Sequence, residues 1–228
     1  MTEYLLKMSQ YQAEITTALM QTLVMILISM TAAVLIGLPM GTMMYLKTIR
    51  YSESRKTKVI SQILNLFVDI VRSFPFLLFV VSIIPVTRFI LGTSFGTTAA
   101  AFPLCFVAIA NFARMAEQAL LDVPRETVEL AKSLGASTSQ LVFNFLFVEA
   151  RSSLVLSFTT VTIGMVSYST IMGVVGGGGI GDFAIRYGYQ SYEYELMYTT
   201  IVVMIISVII IQKLGTQLAN ILDKRKLF

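Results

Sequence analysis

The sequence contains no histidine and a single cysteine, Cys105, which lies in an apolar run. Without histidine, the chain cannot carry a Ser–His hydrolase site, a His-ligated zinc site or imidazole acid–base catalysis. A single thiol cannot form a disulfide within the chain and has no partner for a cysteine metal motif. The motif GxxxxGK[ST], which binds nucleotide phosphates, is also missing. These absences exclude several common enzyme chemistries.

Charge is scarce as well, because only 13% of the 228 residues are charged, about half the usual share. Hydrophobic residues make up 56%, against roughly 45–50% in soluble domains. A lipid bilayer tolerates such an apolar exterior, whereas a soluble fold of this length cannot bury it. The net charge of +4 is too small and too scattered for a nucleic-acid partner.

Long apolar stretches predict an all-α membrane protein that forms a single transmembrane domain over residues 1–228. A spanning helix needs about 20 largely apolar residues. Five stretches of the chain meet this requirement, at residues 18–46, 59–86, 96–116, 154–175 and 196–218. The second stretch is longer and broken, and it contains Pro75 and Pro85; we expect Pro75 to bend the helix.

Basic residues predict the orientation, since loops rich in Lys and Arg stay in the cytoplasm. One side of the predicted topology carries most of them: Lys47, Arg50, Arg55, Lys56, Lys58, Arg114, Arg125, Lys132, Arg151, Lys224, Arg225 and Lys226. The other side carries Lys7, Arg88 and Arg186. We therefore predict that the N-terminus lies outside and the C-terminus lies in the cytoplasm.

The predicted cytoplasmic segment 117–151 has the pattern of two short helices. Pro124 suits a helix start, and Gly135 is a typical residue for ending a helix. Ser137 followed by Gln140 predicts a capping box for the second helix. Two interpretations remain open: a docking surface for another protein, or an amphipathic hairpin that lies on the lipid headgroups.

Three polar residues of the second stretch, Asn65, Asp69 and Arg72, share one helix face because of their spacing. An unpaired charge in the bilayer costs about 2.5–3.5 kcal/mol on insertion scales. We therefore expect Asp69 and Arg72 to form an ion pair, in preference to a direct role in substrate binding.

The glycine-rich run 176–181 formally fits GxGxxG, but it follows a membrane span and not a β-strand, which argues against a dinucleotide site. We expect it to form a flexible gate or to allow two helices to approach closely. Three acids follow it, which we interpret as a platform for an outer protein or as a solvated loop: Asp182, Glu193 and Glu195.

One segment resembles the signature of ABC importer permeases: Glu129-Leu130-Ala131-Lys132-Ser133-Leu134-Gly135. The family has Glu-Ala-Ala, three further residues and Gly. This chain departs at Leu130, and Val148 stands where a proline is common. In that family the segment is the coupling helix, which sits in a cleft of the ATPase subunit. The resemblance therefore implies five residues for coupling to the ATPase: Glu129, Ala131, Lys132, Gly135 and Ala136.

Further motifs narrow the resemblance to methionine importer permeases. They are Ile36-Gly37-Leu38-Pro39-Met40-Gly41, Arg72-Ser73-Phe74-Pro75-Phe76, Pro85-Val86-Thr87-Arg88 with Gly92-Thr93-Ser94, Tyr168-Ser169, Gly173 through Gly181, and Tyr187-Gly188-Tyr189. The resemblance implies a multi-pass translocation subunit of the bacterial inner membrane that forms a homodimer. Two ATPase subunits would bind ATP and Mg, this chain would bind no cofactor, and an extracytoplasmic binding protein would deliver the amino acid.

A methionine pathway needs polar groups for the zwitterion and soft apolar contacts for the thioether. A helix bend at Pro75 could frame a cavity, and Asn111 should face the helix bundle. The candidate pathway residues are Pro75, Asn111, Tyr168, Ser169 and Met172. Ordinary helix packing is the competing interpretation for the last three.

Two other functions remain open at this point. A secondary amino-acid transporter without an ATPase usually has a buried Asp, Glu or His near the centre of its spans, and we find none at the centre of any predicted span. A membrane protease would need a histidine or paired aspartates within the spans, and the sequence has neither.

Overall fold

The computed structural model describes residues 10–49 and 55–223, with side chains from residue 59 onward in the second range. The regular structure of this described part is helical throughout, which confirms the predicted all-α class. Several basic residues used to predict orientation lie outside the described residues or side chains: Lys7, Arg50, Arg55, Lys56, Lys58, Lys224, Arg225 and Lys226. The orientation of the termini therefore stays a prediction.

We number the helices in chain order as α1 (Gln12–Thr48), α2 (Arg55–Ser73), α3 (Phe76–Leu91), α4 (Thr97–Leu121), α5 (Arg125–Ser133), α6 (Thr138–Val175), α7 (Ile180–Phe183) and α8 (Tyr194–Leu222). Helices α1 and α6 contain π-helical turns at Ala33–Gly37 and Leu141–Leu146, and α7 continues into π-helical turns at Ala184–Gln190. In the described part of the chain, four helices are long and apolar enough to cross a membrane. The count is five if α2 and α3 form one broken span, in agreement with the predicted number.

The second predicted span is broken at one proline and not at the other. Helix α2 ends at Ser73 and α3 begins at Phe76, with a bend of 116° between them. Pro75 lacks a backbone N–H, and it disfavours helical geometry in the residue before it. Pro85 lies inside α3 without ending it.

The segment predicted as two short helices between membrane spans has a different outline. Helix α4 extends to Leu121, and α5 is the first short helix. The second is no separate helix, because α6 runs without interruption from Thr138 to Val175. The reason is local: between Thr138 and Gly164 the sequence has neither glycine nor proline, so no residue there stops the helix.

The chain divides into two compact units. The first contains the described residues up to Thr31 together with Phe74–Phe106 and Thr162–Ile211. The second contains Ala32–Ser73, Val107–Val161 and the described residues from Gln212 onward. Each functional feature below lies within one of them.

Close packing of α1 against α4 organises the second unit. A Cβ atom at Gly37 would lie 2.8 Å from the carbonyl oxygen of Ile109, and a Cβ at Gly41 would collide with the carbonyl of Ala113. The two glycines are four residues apart, which places them on one helix face. Their pattern is the small-xxx-small arrangement that lets membrane helices approach closely.

Candidate functional site

Helix α5 is held against the second unit by its apolar face. Pro124 occupies the position before its first turn, where a missing N–H costs nothing. Val128 and Ala131 are buried. They belong to a cluster, named here the α5 cluster, of Tyr45, Leu120, Val123, Val128, Ala131, Leu141, Val142, Leu146 and Ala150. One face of α5 is therefore fixed to the ends of α1, α4 and α6.

Gly135 ends α5 in a Schellman motif. Its φ is +68°, a left-handed conformation that glycine adopts without steric cost. The N–H of Ala136 donates to the carbonyl of Ala131 at 3.0 Å, and the N–H of Gly135 donates to Lys132 at 3.0 Å. This pair of hydrogen bonds defines the motif, and Ala136 also packs on the α5 cluster. The predicted helix end at Gly135 is confirmed.

A capping box fixes the start of α6 two residues later. The Gln140 N–H donates to Ser137 Oγ at 3.3 Å, and the Ser137 N–H donates to Gln140 Oε1 at 2.8 Å. The predicted capping box is confirmed, and it restricts the turn between α5 and α6 from both ends.

The opposite face of α5 is exposed. Of the five predicted coupling residues, Glu129, Lys132 and Gly135 are exposed, Ala136 is half-buried and Ala131 is buried. Leu130 and Leu134 are 55% and 68% exposed, and their four-residue spacing makes them neighbours on the surface. Sequence reasoning missed this apolar pair, although Leu130 was visible as a departure from the family signature. We call Glu129, Leu130, Lys132 and Leu134 the α5 surface.

Charged side chains of α2 and α4 form a chain of ion pairs in the second unit. Arg114 binds Asp69 at 2.6 Å and Glu117 at 2.7 Å. The expected pair of Asp69 with Arg72 is therefore wrong, because α4 brings Arg114 to Asp69. Sequence reasoning counted Arg114 only among the cytoplasmic charges at the end of the third span, although its three-residue spacing from Glu117 could have indicated a helical pair.

Arg72 instead binds a predicted pathway residue. Its Nε donates to Asn111 Oδ1 at 3.3 Å. The spacing of Asn65, Asp69 and Arg72 places them on a face of α2 separate from the exposed apolar stripe, which consists of Val59, Ile63, Leu66 and Ile70.

The other pathway candidates lie in the first unit. The ring of Tyr168 contacts Phe76, which follows Pro75, with 4.4 Å between ring centroids. Ser169 is fully buried, and its hydroxyl donates to the carbonyl of Val166. Met172 is also buried. Tyr168 is the half-buried member of these three and the one with an accessible ring.

The glycine-rich run packs tightly in the first unit. A Cβ at Gly173 would collide with Asp182, and a Cβ at Gly181 would collide with Thr170. Helix α1 binds the same run, because the N–H of Gly179 donates to Gln21 Oε1 at 2.8 Å and the N–H of Ile180 donates to Thr22 Oγ1 at 2.9 Å. The structure thus favours close approach, one of the two interpretations given above.

No group of three or more Cys, Asp or Glu side chains suited to a metal ion occurs among the described residues. The functional features of the described residues are an exposed helix, the ion pairs between α2 and α4, and a packed glycine loop.

The chain matches a family of transport proteins over most of its length. Residues 34–227 match the family described as "Binding-protein-dependent transport system inner membrane component". The chain is 42% identical over 209 residues to the Vibrio cholerae protein named "Probable D-methionine transport system permease protein MetI", with 92% of each chain covered. It is 35% identical over 170 residues to the Bacillus subtilis "Methionine import system permease protein MetP", covering 75% of this chain and 77% of that protein.

Solved structures show the same fold. The chain matches a structure titled "Inward facing conformations of the MetNI methionine ABC transporter" with a TM-score of 0.88 and 34% identity, covering 94% of this chain and 99% of that one. A structure of an amino acid ABC transporter with histidines matches with a TM-score of 0.78 at 20% identity, which supports the fold alone.

These findings confirm the predicted resemblance to importer permeases, the multi-pass location in the bacterial inner membrane and a role in transport rather than catalysis. The chain belongs to the family of binding-protein-dependent transport system inner membrane components.

Proposed function

We propose that this chain is the translocation subunit of an ATP-driven importer of methionine. The names of its relatives in Vibrio cholerae and Bacillus subtilis support the substrate, and the MetNI methionine ABC transporter supports the class of machine. Two copies of the chain would enclose the pathway about a two-fold axis. A binding protein would deliver the amino acid from outside.

The observation that carries the proposal is the two-faced packing of α5. An amphipathic hairpin on lipid headgroups would insert its apolar face into the bilayer. In this chain the apolar face, with Val128 and Ala131, is buried in the α5 cluster. What remains accessible is the α5 surface of mixed charged and apolar residues, which suits a protein partner better than lipid.

We place the ATPase on this surface. The partner subunits would bind ATP and Mg, since this sequence has no phosphate-binding motif. Glu129 and Lys132 offer charges of both signs, and Leu130 and Leu134 offer apolar contact area. The Schellman turn and the capping box would pass a displacement of α5 directly into α6, because neither end of the connecting turn can yield easily.

Within each unit, the pathway would use polar side chains that are not fully buried. Asn111 with Arg72 in the second unit, and Tyr168 beside the bend at Pro75 in the first, meet this requirement. Ser169 and Met172 are buried, so we assign them to packing behind Tyr168 and not to the pathway wall.

A secondary transporter without an ATPase partner is not favoured, because the family is that of binding-protein-dependent systems. A secondary transporter needs no ATPase subunit, whereas an ATP-driven importer must carry one in the membrane.

The test is to tag this chain in its native membrane, purify it in mild detergent and identify the co-purifying subunits. We expect an ATPase in equal number. Reconstituted with this ATPase and its binding protein, the complex should take up labelled methionine only when ATP is present. Competition by unlabelled D-methionine and by other amino acids would define the specificity. Uptake that is driven by an ion gradient without ATP would refute the proposal.

A further inference from the structure

An ion pair of the first unit lies in the wall of two neighbouring cavities. Asp182 Oδ2 binds Arg186 Nη2 at 2.5 Å, one helical turn apart. Both residues line a cavity of about 630 Å³ and a second one of about 310 Å³. Gln21 is the third residue that the two walls share. The pair is thus accessible from two sides, although it belongs to a tightly packed loop.

The two charges are held differently. The Asp182 side chain is only 13% exposed, and its backbone and Cβ pack against Gly173 so closely that a larger residue there would collide. The Arg186 side chain is 60% exposed, and its guanidinium carbon lies 5.7 Å from the ring centroid of Tyr187. The carboxylate is therefore fixed, whereas the guanidinium reaches into open space.

Both groups keep binding capacity beyond the pair. A carboxylate has two oxygens and a guanidinium has five N–H donors. Within the described residues, the pair uses Asp182 Oδ2 and Arg186 Nη2, and no described residue hydrogen-bonds Asp182 Oδ1. Burial of a carboxylate carries a desolvation cost that offsets the attraction to its partner, so stability alone does not account for a carboxylate buried at this position.

The larger cavity combines these charges with apolar walls. Ile84 and Phe95 line it, together with the backbone of the glycine run. The ring of Phe95 lies where a side chain at Gly176 would be. The volume falls within the roughly 300–1,000 Å³ of small-molecule sites. A charged end and an apolar end in one cavity of this size match an amphiphilic ligand.

We propose that this cavity binds a zwitterionic amino acid with an apolar side chain. The α-carboxylate binds the outer N–H groups of Arg186, and the α-ammonium binds Oδ1 of Asp182. Each charge of the zwitterion then faces an opposite charge of the protein, so Asp182 and Arg186 both keep a partner of opposite charge. The side chain lies against Ile84 and Phe95, where a thioether gains sulfur–aromatic contact. This inference rests on the proposed function and adds a specific ligand subsite to it.

The test uses the absence of tryptophan from the chain. Phe95→Trp places one reporter at the cavity of the full-length protein in nanodiscs, and Tyr198→Trp, at an exposed residue outside the cavity walls, is the control reporter. Three probes are titrated: L-methionine, L-methioninamide, which lacks the carboxylate, and 4-(methylthio)butanoate, which lacks the ammonium. Equilibrium dialysis of labelled L-methionine against the unsubstituted chain checks that the reporter does not disturb the site.

We expect L-methionine to change the fluorescence of the Phe95→Trp reporter saturably, with each analogue binding about ten-fold more weakly or worse, as for a lost charged hydrogen bond. The control reporter should not respond. In Arg186→Gln, methionine and its amide should bind equally, and in Asp182→Asn, methionine and the butanoate should bind equally. Arg186→Lys should keep the discrimination against the amide.

Two results overturn the inference in the protein that retains Asp182 and Arg186. One is equal binding of all three probes, and the other is the absence of saturable methionine binding. Discrimination that survives both Asp182→Asn and Arg186→Gln also overturns it. Uptake by the complete transporter is measured in parallel. Methionine uptake without charge-dependent binding refutes this subsite alone, whereas absent uptake with intact binding refutes the proposed function alone.

Discussion

Gly135 and Arg114 show how single side chains set the properties of the second unit. Gly135 adopts a positive φ in a place where an added Cβ atom would meet no neighbouring group within 4 Å. Its requirement is therefore conformational and not steric. Arg114, by contrast, matters through its side chain, which binds two carboxylates. The two residues can be tested with different kinds of substitution.

Replacement of Gly135 by valine should uncouple transport from ATP hydrolysis while the protein still inserts. A β-branched residue in the left-handed region costs roughly 1–2 kcal/mol, which should loosen the Schellman turn. Gly135→Asn is the matched control, because asparagine tolerates this conformation. The measurement is methionine uptake per ATP hydrolysed in proteoliposomes that contain the partner ATPase. Normal coupling in Gly135→Val would contradict the role given to this turn.

Loss of Arg114 should destabilise the protein through Glu117, whose side chain is only 8% exposed. Arg114→Leu leaves this carboxylate unpaired, at a cost of about 3 kcal/mol, or roughly 10 °C in apparent Tm for a chain of this length. Asp69→Asn should cost about 1 kcal/mol or less, since Asp69 is 60% exposed. Thermal unfolding in one detergent, followed by size-exclusion chromatography, measures both. If Arg114→Leu and Asp69→Asn have the same apparent Tm, loss of the ion pair with Arg114 does not make buried Glu117 destabilising.

Among the helices, the pair α1 and α4 depends most clearly on small residues. Gly37 and Gly41 bring the α1 backbone against α4, and Pro39 between them lies in the first turn after the π-helical segment. The bend between α2 and α3 has an equally local cause in Pro75. At the two glycines a Cβ atom would collide with the α4 backbone, and at Pro75 the missing N–H removes a hydrogen bond of the helix.

Substitution of Gly41 should therefore disrupt the contact of α1 with α4. A methyl group there meets the Ala113 carbonyl and lies 3.1 Å from the Ala116 Cβ, and overpacking of this kind costs about 1–3 kcal/mol. Gly41→Ala should lower the apparent Tm, and Gly41→Val should lower it further. Gly164→Ala is the control, since a Cβ atom added there would meet nothing within 4 Å. If Gly41→Ala and Gly164→Ala have the same apparent Tm, the methyl group at residue 41 does not destabilise the contact of α1 with α4.

For the chain as a transporter subunit, the critical property is that a rigid surface remains available after folding. The α5 surface is exposed while the other face of the same helix is buried in the α5 cluster. Substitutions on the exposed side should therefore affect assembly with the ATPase and leave the fold unchanged.

Leu134→Asp combined with Glu129→Lys should abolish co-purification of the ATPase. The change places a charge at the apolar contact and reverses another, and like-charge or unpaired groups at an interface oppose binding. The apparent Tm of the isolated chain should stay within about 2 °C of the parent, because exposed substitutions rarely cost more than ~0.5 kcal/mol. Glu195→Lys is an equal charge reversal outside the α5 surface and should retain the ATPase. Full retention of the ATPase by the α5 variant would show that the partner binds elsewhere.

Much of the candidate site could be read from the sequence because its causes are local. The helix end at Gly135, the capping box of Ser137 and Gln140, and the break at Pro75 each depend on residues within a few positions. Length and apolarity likewise determine the number of membrane helices. The error in predicting a separate short helix at the start of α6 is also local, because no glycine or proline ends this helix between Thr138 and Gly164.

The amino-acid order alone determined that this is an α-helical membrane protein with capped turns at residues 124–140, because hydrogen bonding within a helix and the apolar length of a span are properties of contiguous residues. Only the tertiary structure decided that Asp69 binds Arg114, 45 residues away, that the apolar face of α5 is buried, and that Asp182 and Arg186 share two cavities. Those features depend on which helices pack together, and charge compensation in a membrane goes to whichever opposite charge the packing brings within reach.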